Sequence, residues 1–216
     1  MRAVALLRKL EKDIEADLDW RQAELAVFRE MLTLSAELET RKRVLFRTGW
    51  TLLYAHYEGF SKFCLDTYIE FIGRSLTDCH MLPDNMFVYF VEKEIGAAKA
   101  LSPEGIFQFF QGDIHALRST APKTITVDTK SNLWPDLLAK ILGRLDLNSS
   151  CIIEHERKLK TLVARRNDIA HGKRVFIDDI TYYQEYETAV LNVMYGLALA
   201  VGDRSERFAR PLTVSI

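Results

Sequence analysis

Along the first stretch of the chain, apolar residues return at steps of three and four: Leu7, Leu10, Ile14, Leu18, Leu25, Phe28 and Leu32. That period keeps them on one face of an α-helix, so residues 3–38 are predicted to form a single long amphipathic helix. The next stretch, from about Thr40 to Ser75, keeps the period but is richer in aromatics, with Phe46, Trp50, Tyr54, Tyr57, Phe60, Phe63, Tyr68 and Phe71. Bulky residues at this density suit a helix at the centre of the core. Two members of its segment YAHYEGF, His56 and Glu58, are polar inside that aromatic run and need partners there.

Pro83 and the turn-forming residues of LTDCHMLPDN end the pattern, after which 85–96 and 103–118 read as shorter helices. The second of these opens at Ser102-Pro103-Glu104, a helix-start signal. In STAPKTITVDTKSNL, Ile125 and Val127 alternate with threonines, which admits a short strand paired with the C-terminal LTVSI. Asn132 or Trp134-Pro135 then opens a helix ending near Gly143. Asn148 or Ser149 caps one that runs to about His171, and Asp178 or Asp179 caps the last, over about 180–202. The expected fold is all-α, an antiparallel bundle whose long N-terminal helical part covers about 1–78, with at most one short β pair.

At 216 residues the chain suits one domain with a sizeable core. With 48% hydrophobic and 27% charged residues but only 10 Gly and 5 Pro, it has the composition of a folded, helix-rich protein. Cys64, Cys79 and Cys151 are odd in number and widely spaced, which argues against a disulfide framework and suits a reducing cytoplasm. Cys79 and His80 are adjacent, yet no second ligand pair accompanies them, so no metal site is expected. Residues 1–20 carry charges throughout and TGWTLLYAHY is too short to span a bilayer; no signal peptide or membrane partner is expected.

The net charge of -1 hides an asymmetry. Between 156 and 174 seven basic residues (157, 158, 160, 165, 166, 173, 174) stand against two acidic ones (156, 168), whereas residues 11–30 carry seven acids and three bases. A basic patch of this kind suits an anionic ligand, or simply a solvated face.

Within the patch lies RRNDIAHGKR, residues 165–174. The inward stripe of its helix would be Ile152, His155, Leu159, Leu162, Arg166 and Ile169, so Arg166 takes a position suited to a hydrophobe. An arginine there must find an anion or line a cleft, because an unpaired buried charge is costly. Asn167 and His171 share a face, while Arg166 and His171 lie about 140° apart on a regular helix. Gly172 suits a left-handed C′ position ending the helix at His171, and a frayed or tightened last turn would bring Arg166 round to the same hollow. The segment also has a plain reading: a basic helix C-terminus with a glycine cap, Arg166 pairing with a carboxylate from another helix, Glu58 being a candidate.

RNDIAH resembles the R-x-x-x-x-H motif of the HEPN superfamily, all-α domains that carry it at a helix end with a polar residue such as Asn after the arginine. With 17 Arg, 5 His and 5 Asn in the chain, chance supplies this combination about 0.01 times. The long charged first helix with DLDWRQAEL, then LLYAHYEGFSKFCLDTYIEFI, then SNLWPDLL ahead of the motif are similar to a stand-alone prokaryotic subfamily, covering most of the chain. The resemblance implies an endoribonuclease that needs no metal or other cofactor. Such an enzyme uses the 2′-OH of its RNA as nucleophile and leaves a 2′,3′-cyclic phosphate, often as a toxin or antiviral effector.

In that setting His171 would be the general acid or base, Arg166 would neutralise charge on the phosphorane, and Asn167 would orient the phosphate or the imidazole. Arg165, Lys173 and Arg174 would bind flanking phosphates. The resemblance further implies a homodimer with a composite site and, for a toxin, a neutralising or regulatory protein. The alternatives from other classes are a non-catalytic HEPN module that binds nucleotide or RNA, and a helical interaction protein.

Overall fold

The computed structural model describes residues 2–34, 39–175 and 179–210. Helix α1 spans Arg2–Leu34 and α2 spans Glu39–Ser75; α3 (Asp84–Phe90), α4 (Glu92–Ala98) and α5 (Pro103–Gln108) follow. A π-helical turn, Phe109–Asp113, joins α5 to α6 (Ile114–Arg118), and α7 (Pro135–Arg144), α8 (Ser150–Ala170) and α9 (Ile180–Ala209) complete the order. The predicted stripe of α1 is the one that is buried, from Leu7 to Leu32, with Arg21 as its one charged member. Residues 35–38, predicted to continue this helix, lie outside the described residues, as do Asp178 and the segment 212–216.

Contacts along the helices fix their directions. A Cβ built on Gly49 of α2 would strike Phe28 of α1, one on Gly59 would meet Arg21, and Lys9 and Arg74 line the same hollow; residue numbers rise on one helix as they fall on the other, so α1 and α2 are antiparallel. Helix α9 also runs against α1, since Tyr183 packs on Phe28 and the Tyr195 hydroxyl donates to Gln22 at 2.7 Å. Helix α8 runs against α9, with His155 beside Asn192 and Arg165 beside Tyr182. Helix α2 supplies the largest side chains of the core, Trp50, Tyr54, Tyr57 and Tyr68 among them, all fully buried. The expectation of an all-α bundle around this helix holds.

Among the described residues no strand forms over 125–127. The backbone there is satisfied from α2 instead: the Val127 N–H donates to Asp66 at 2.7 Å, and its carbonyl accepts from Lys62 at 2.8 Å. Val127 is buried, so the alternation reflects a chain docked on a helix with its polar groups met by side chains. The predicted helix 103–118 is interrupted by the π-helical turn, and α9 extends past the predicted 202 to Ala209. No helix among the described residues is long and apolar enough to cross a membrane.

Candidate functional site

Helix α8 delivers the motif. Its start is capped from Asn148, whose side-chain oxygen accepts the Ser150 N–H at 2.7 Å. Ile152, Leu159, Leu162 and Val163 bury its inner face, which leaves Arg166 at the end of the apolar stripe with 24% of its side chain exposed. The guanidinium lies over the Tyr54 ring, 4.1 Å from its centroid, and Nη1 donates to Asn132 Oδ1 at 2.8 Å and to Asn167 Oδ1 at 2.9 Å. Among the described residues the carboxylate paired with it is Glu58, whose Oε2 stands 3.9 Å from Nη2. Arg166 is therefore oriented by two neutral amides and a ring face, with its counter-charge beyond hydrogen-bond reach. Burial, with a smaller contribution from Glu58, pushes the Tyr54 phenol up to about 12, so Tyr54 stays neutral; its oxygen accepts the Leu133 N–H at 2.9 Å.

Helix α8 closes by a Schellman arrangement. The Lys173 N–H bonds the Asp168 carbonyl at 2.9 Å and the Gly172 N–H bonds Ile169 at 3.0 Å, with Gly172 at a φ of 77°, a region glycine enters at little cost. This regular ending fixes His171 as the C-cap residue, exposed and with no side-chain hydrogen bond or ion pair among the described residues. The last turn does not tighten to bring Arg166 and His171 together: Arg166 turns toward α2 and the loop before α7, while His171 faces outward. Asn167 serves Arg166 through its side chain and accepts the His171 N–H through its carbonyl at 3.0 Å.

The other cations divide. Arg165 points into an aromatic cage, 4.8 Å from the ring centroids of both Trp50 and Tyr182, and Nη2 donates to the Tyr182 hydroxyl at 2.8 Å. Lys173 is exposed and pairs with Asp168 at 2.6 Å, and its carbonyl accepts from Arg47 at 2.8 Å. Arg174 is exposed and carries no ion pair among the described residues. His56 is buried beside Glu24, Nε2 to Oε2 2.9 Å, in a direction that makes no hydrogen bond; it belongs to the α1–α2 interface and not to the motif.

Asn132 and Tyr54 were not foreseen as parts of the site. Asn132 reads as a helix opener in sequence; it reaches Arg166 because Lys130 and Ser131, just before it, adopt φ of 49° and 67°, and nothing in the residue types announces that turn. Among the described residues no group of three His, Cys, Asp or Glu is placed to hold a metal ion. The arrangement offers a fixed, incompletely neutralised guanidinium suited to a phosphate oxygen and, five residues further on and facing another way, an exposed imidazole.

The sequence model of the family described as HEPN_MAE_28990-like HEPN matches residues 10–208. Neither a curated protein nor a solved structure matches the chain.

Proposed function

The chain belongs to the HEPN_MAE_28990-like HEPN family, and from that membership we propose that it is a metal-independent endoribonuclease. In this reading His171 takes the proton from the 2′-hydroxyl, the 2′-oxygen attacks the adjacent phosphorus, and the bond from phosphorus to the 5′-oxygen breaks. The departing oxygen takes a proton from a second imidazole, and the product carries a 2′,3′-cyclic phosphate. Arg166 stabilises the charge that grows on the phosphorane, and Asn167 keeps the guanidinium aimed. DNA, which lacks the nucleophile, is left intact.

One chain supplies one motif histidine, so the reading includes a homodimer in which two copies of the motif form a composite cleft. Lys173, Arg174 and, if its cage opens, Arg165 would hold flanking phosphates. The role of toxin or antiviral effector in the cytoplasm, held in check by an antitoxin or regulatory protein, follows the family resemblance, and three free cysteines suit that compartment.

The observation that carries the reading is the state of Arg166, oriented by Asn132 and Asn167 with its carboxylate at 3.9 Å, on a helix that ends five residues later at an exposed His171. The internal partners of both Arg165 and Arg166 favour one second reading, a motif that pins α8 to α2 in a module that binds RNA without cutting it. The test is cleavage of single-stranded RNA in excess EDTA by the wild type and by His171→Ala. Expected are cyclic-phosphate ends from the wild type and a rate lower by about 10²-fold or more in the variant; equal rates remove His171 from the chemistry, and intact RNA in both favours the second reading.

A further inference from the structure

A cavity of about 590 Å³ opens between α3, α4, α7 and the loop 123–130, and none of residues 165–174 lines it. Its volume is within the range that holds a small organic ligand. The wall is in part apolar, with Phe90, Ile125, Leu137 and Ile141. Five cations and three carboxylates surround it, an excess of two positive charges. Two of the cations are already engaged: Lys123 pairs with Glu94, and Arg144 pairs with Glu92 at 3.0 Å while lying over the Tyr89 ring. The ammonium groups of Lys93, Lys130 and Lys140 make no hydrogen bond or ion pair among the described residues. The remaining carboxylate, Asp128, accepts the Lys130 backbone N–H at 2.8 Å.

The cavity and the motif share a loop. Lys130 at the cavity rim and Asn132 on Arg166 are two residues apart, a span of no more than about 7 Å between Cα atoms. Lys130 and Ser131 both hold left-handed backbone, a conformation that non-glycine residues keep only when their surroundings impose it and that gathers at ligand clamps. Three bonds impose it here: Asp128 on Lys130, Tyr54 on the Leu133 N–H, and Asn132 on Arg166.

We propose that this cavity binds a nucleotide of the RNA strand flanking the bond cut at Arg166 and His171, its phosphate on Lys93, Lys130 and Lys140 and its base against the apolar wall. The assignment rests on the ribonuclease reading for the identity of the strand. A free nucleoside triphosphate offers the same chemistry, so the two sources are separated by experiment.

The experiment measures, on the full chain, the binding of a labelled single-stranded RNA and, separately, of labelled ATP across a salt series. It compares the wild type, the triple variant Lys93→Ala/Lys130→Ala/Lys140→Ala, and a control triple, Arg8→Ala/Lys9→Ala/Lys12→Ala, on α1. The cavity variant is expected to bind RNA about tenfold more weakly, with a salt slope smaller by about 2, since each phosphate contact on a single strand contributes about 0.7. The control should leave both unchanged, and an unaltered melting temperature shows that the variant is folded. RNA affinity and slope equal to wild type in the cavity variant, or equal losses in both triples, overturn the proposal, as does ATP binding that the cavity lysines carry while RNA binding ignores them. RNA affinity lost in the cavity variant, with a wild type that binds RNA yet never cuts it, defeats the ribonuclease reading and retains the RNA site; a cavity variant with wild-type KM and kcat defeats the site alone.

Discussion

Arg21 and Arg166 both stand where a helical stripe is otherwise apolar, and both pack against α2 within two turns of each other, yet they are treated oppositely. Arg21 is closed off. Its Nε donates to Asp17 at 2.6 Å, its side chain is 10% exposed, and its guanidinium lies against Gly59 of α2 and over the Trp20 ring. Arg166 has its carboxylate at 3.9 Å, 24% of its side chain open, and neutral amides as its hydrogen-bond partners. A closely paired arginine is a scaffold element, because its charge is spent on an internal acid; one held by amides keeps charge for a visitor. The residue type is the same in both stripes; what differs is how far the charge has been neutralised.

The same chemical change made in both regions should therefore give different results. Asp17→Asn leaves Arg21 buried without its counter-charge and is expected to lower stability by about 3 kcal/mol in denaturant unfolding, with any RNA activity per folded molecule unchanged. Gly59→Ala brings a Cβ to 2.9 Å from Arg21 Nη1, and since Asp17 holds that side chain in place, about 1 kcal/mol should be lost; a thermal melt reads this directly. Glu58→Gln removes the distant counter-charge from Arg166, and in this part-exposed pair the expected gain is about threefold tighter RNA binding with little change in melting temperature. A large stability loss in Glu58→Gln would erase the contrast between the two arginines.

The smallest expected effect is a pH dependence at the closed cluster. Burial holds the His56 imidazole below its ordinary range, opposed chiefly by Glu24. The unfolded chain then takes up this proton first as pH falls through about 6.5, so the contribution of His56 is full above that pH and declines below it. His56→Gln should flatten the slope of stability between about pH 7 and pH 5.

How much of this was legible in sequence depended on the range of the interactions. The stripe Leu7 to Leu32 is buried as its spacing requires, because helical period is a local property. The oddity of Arg166 and the need of Glu58 for a partner were legible for the same reason, each being a polar residue on an apolar face. The alternation over 125–127 admits a strand but says nothing of who meets the backbone, and Asp66 and Lys62 of α2 do so here. Asn132 was out of reach: its role depends on two left-handed residues before it and on a contact with a helix 34 residues later. The outward setting of His171 follows from the regular closure of α8, where sequence admitted either a regular or a tightened turn.

The central claim, that Arg166 is kept for a phosphodiester and not for the scaffold, is tested most directly by measuring melting temperature and RNA cleavage per folded molecule on one preparation of Arg166→Ala. The account predicts cleavage lower by about 10²- to 10³-fold with a melting temperature within about 4 °C of wild type. Cleavage at the wild-type rate, with a fall in melting temperature as large as that of Asp17→Asn, would contradict it.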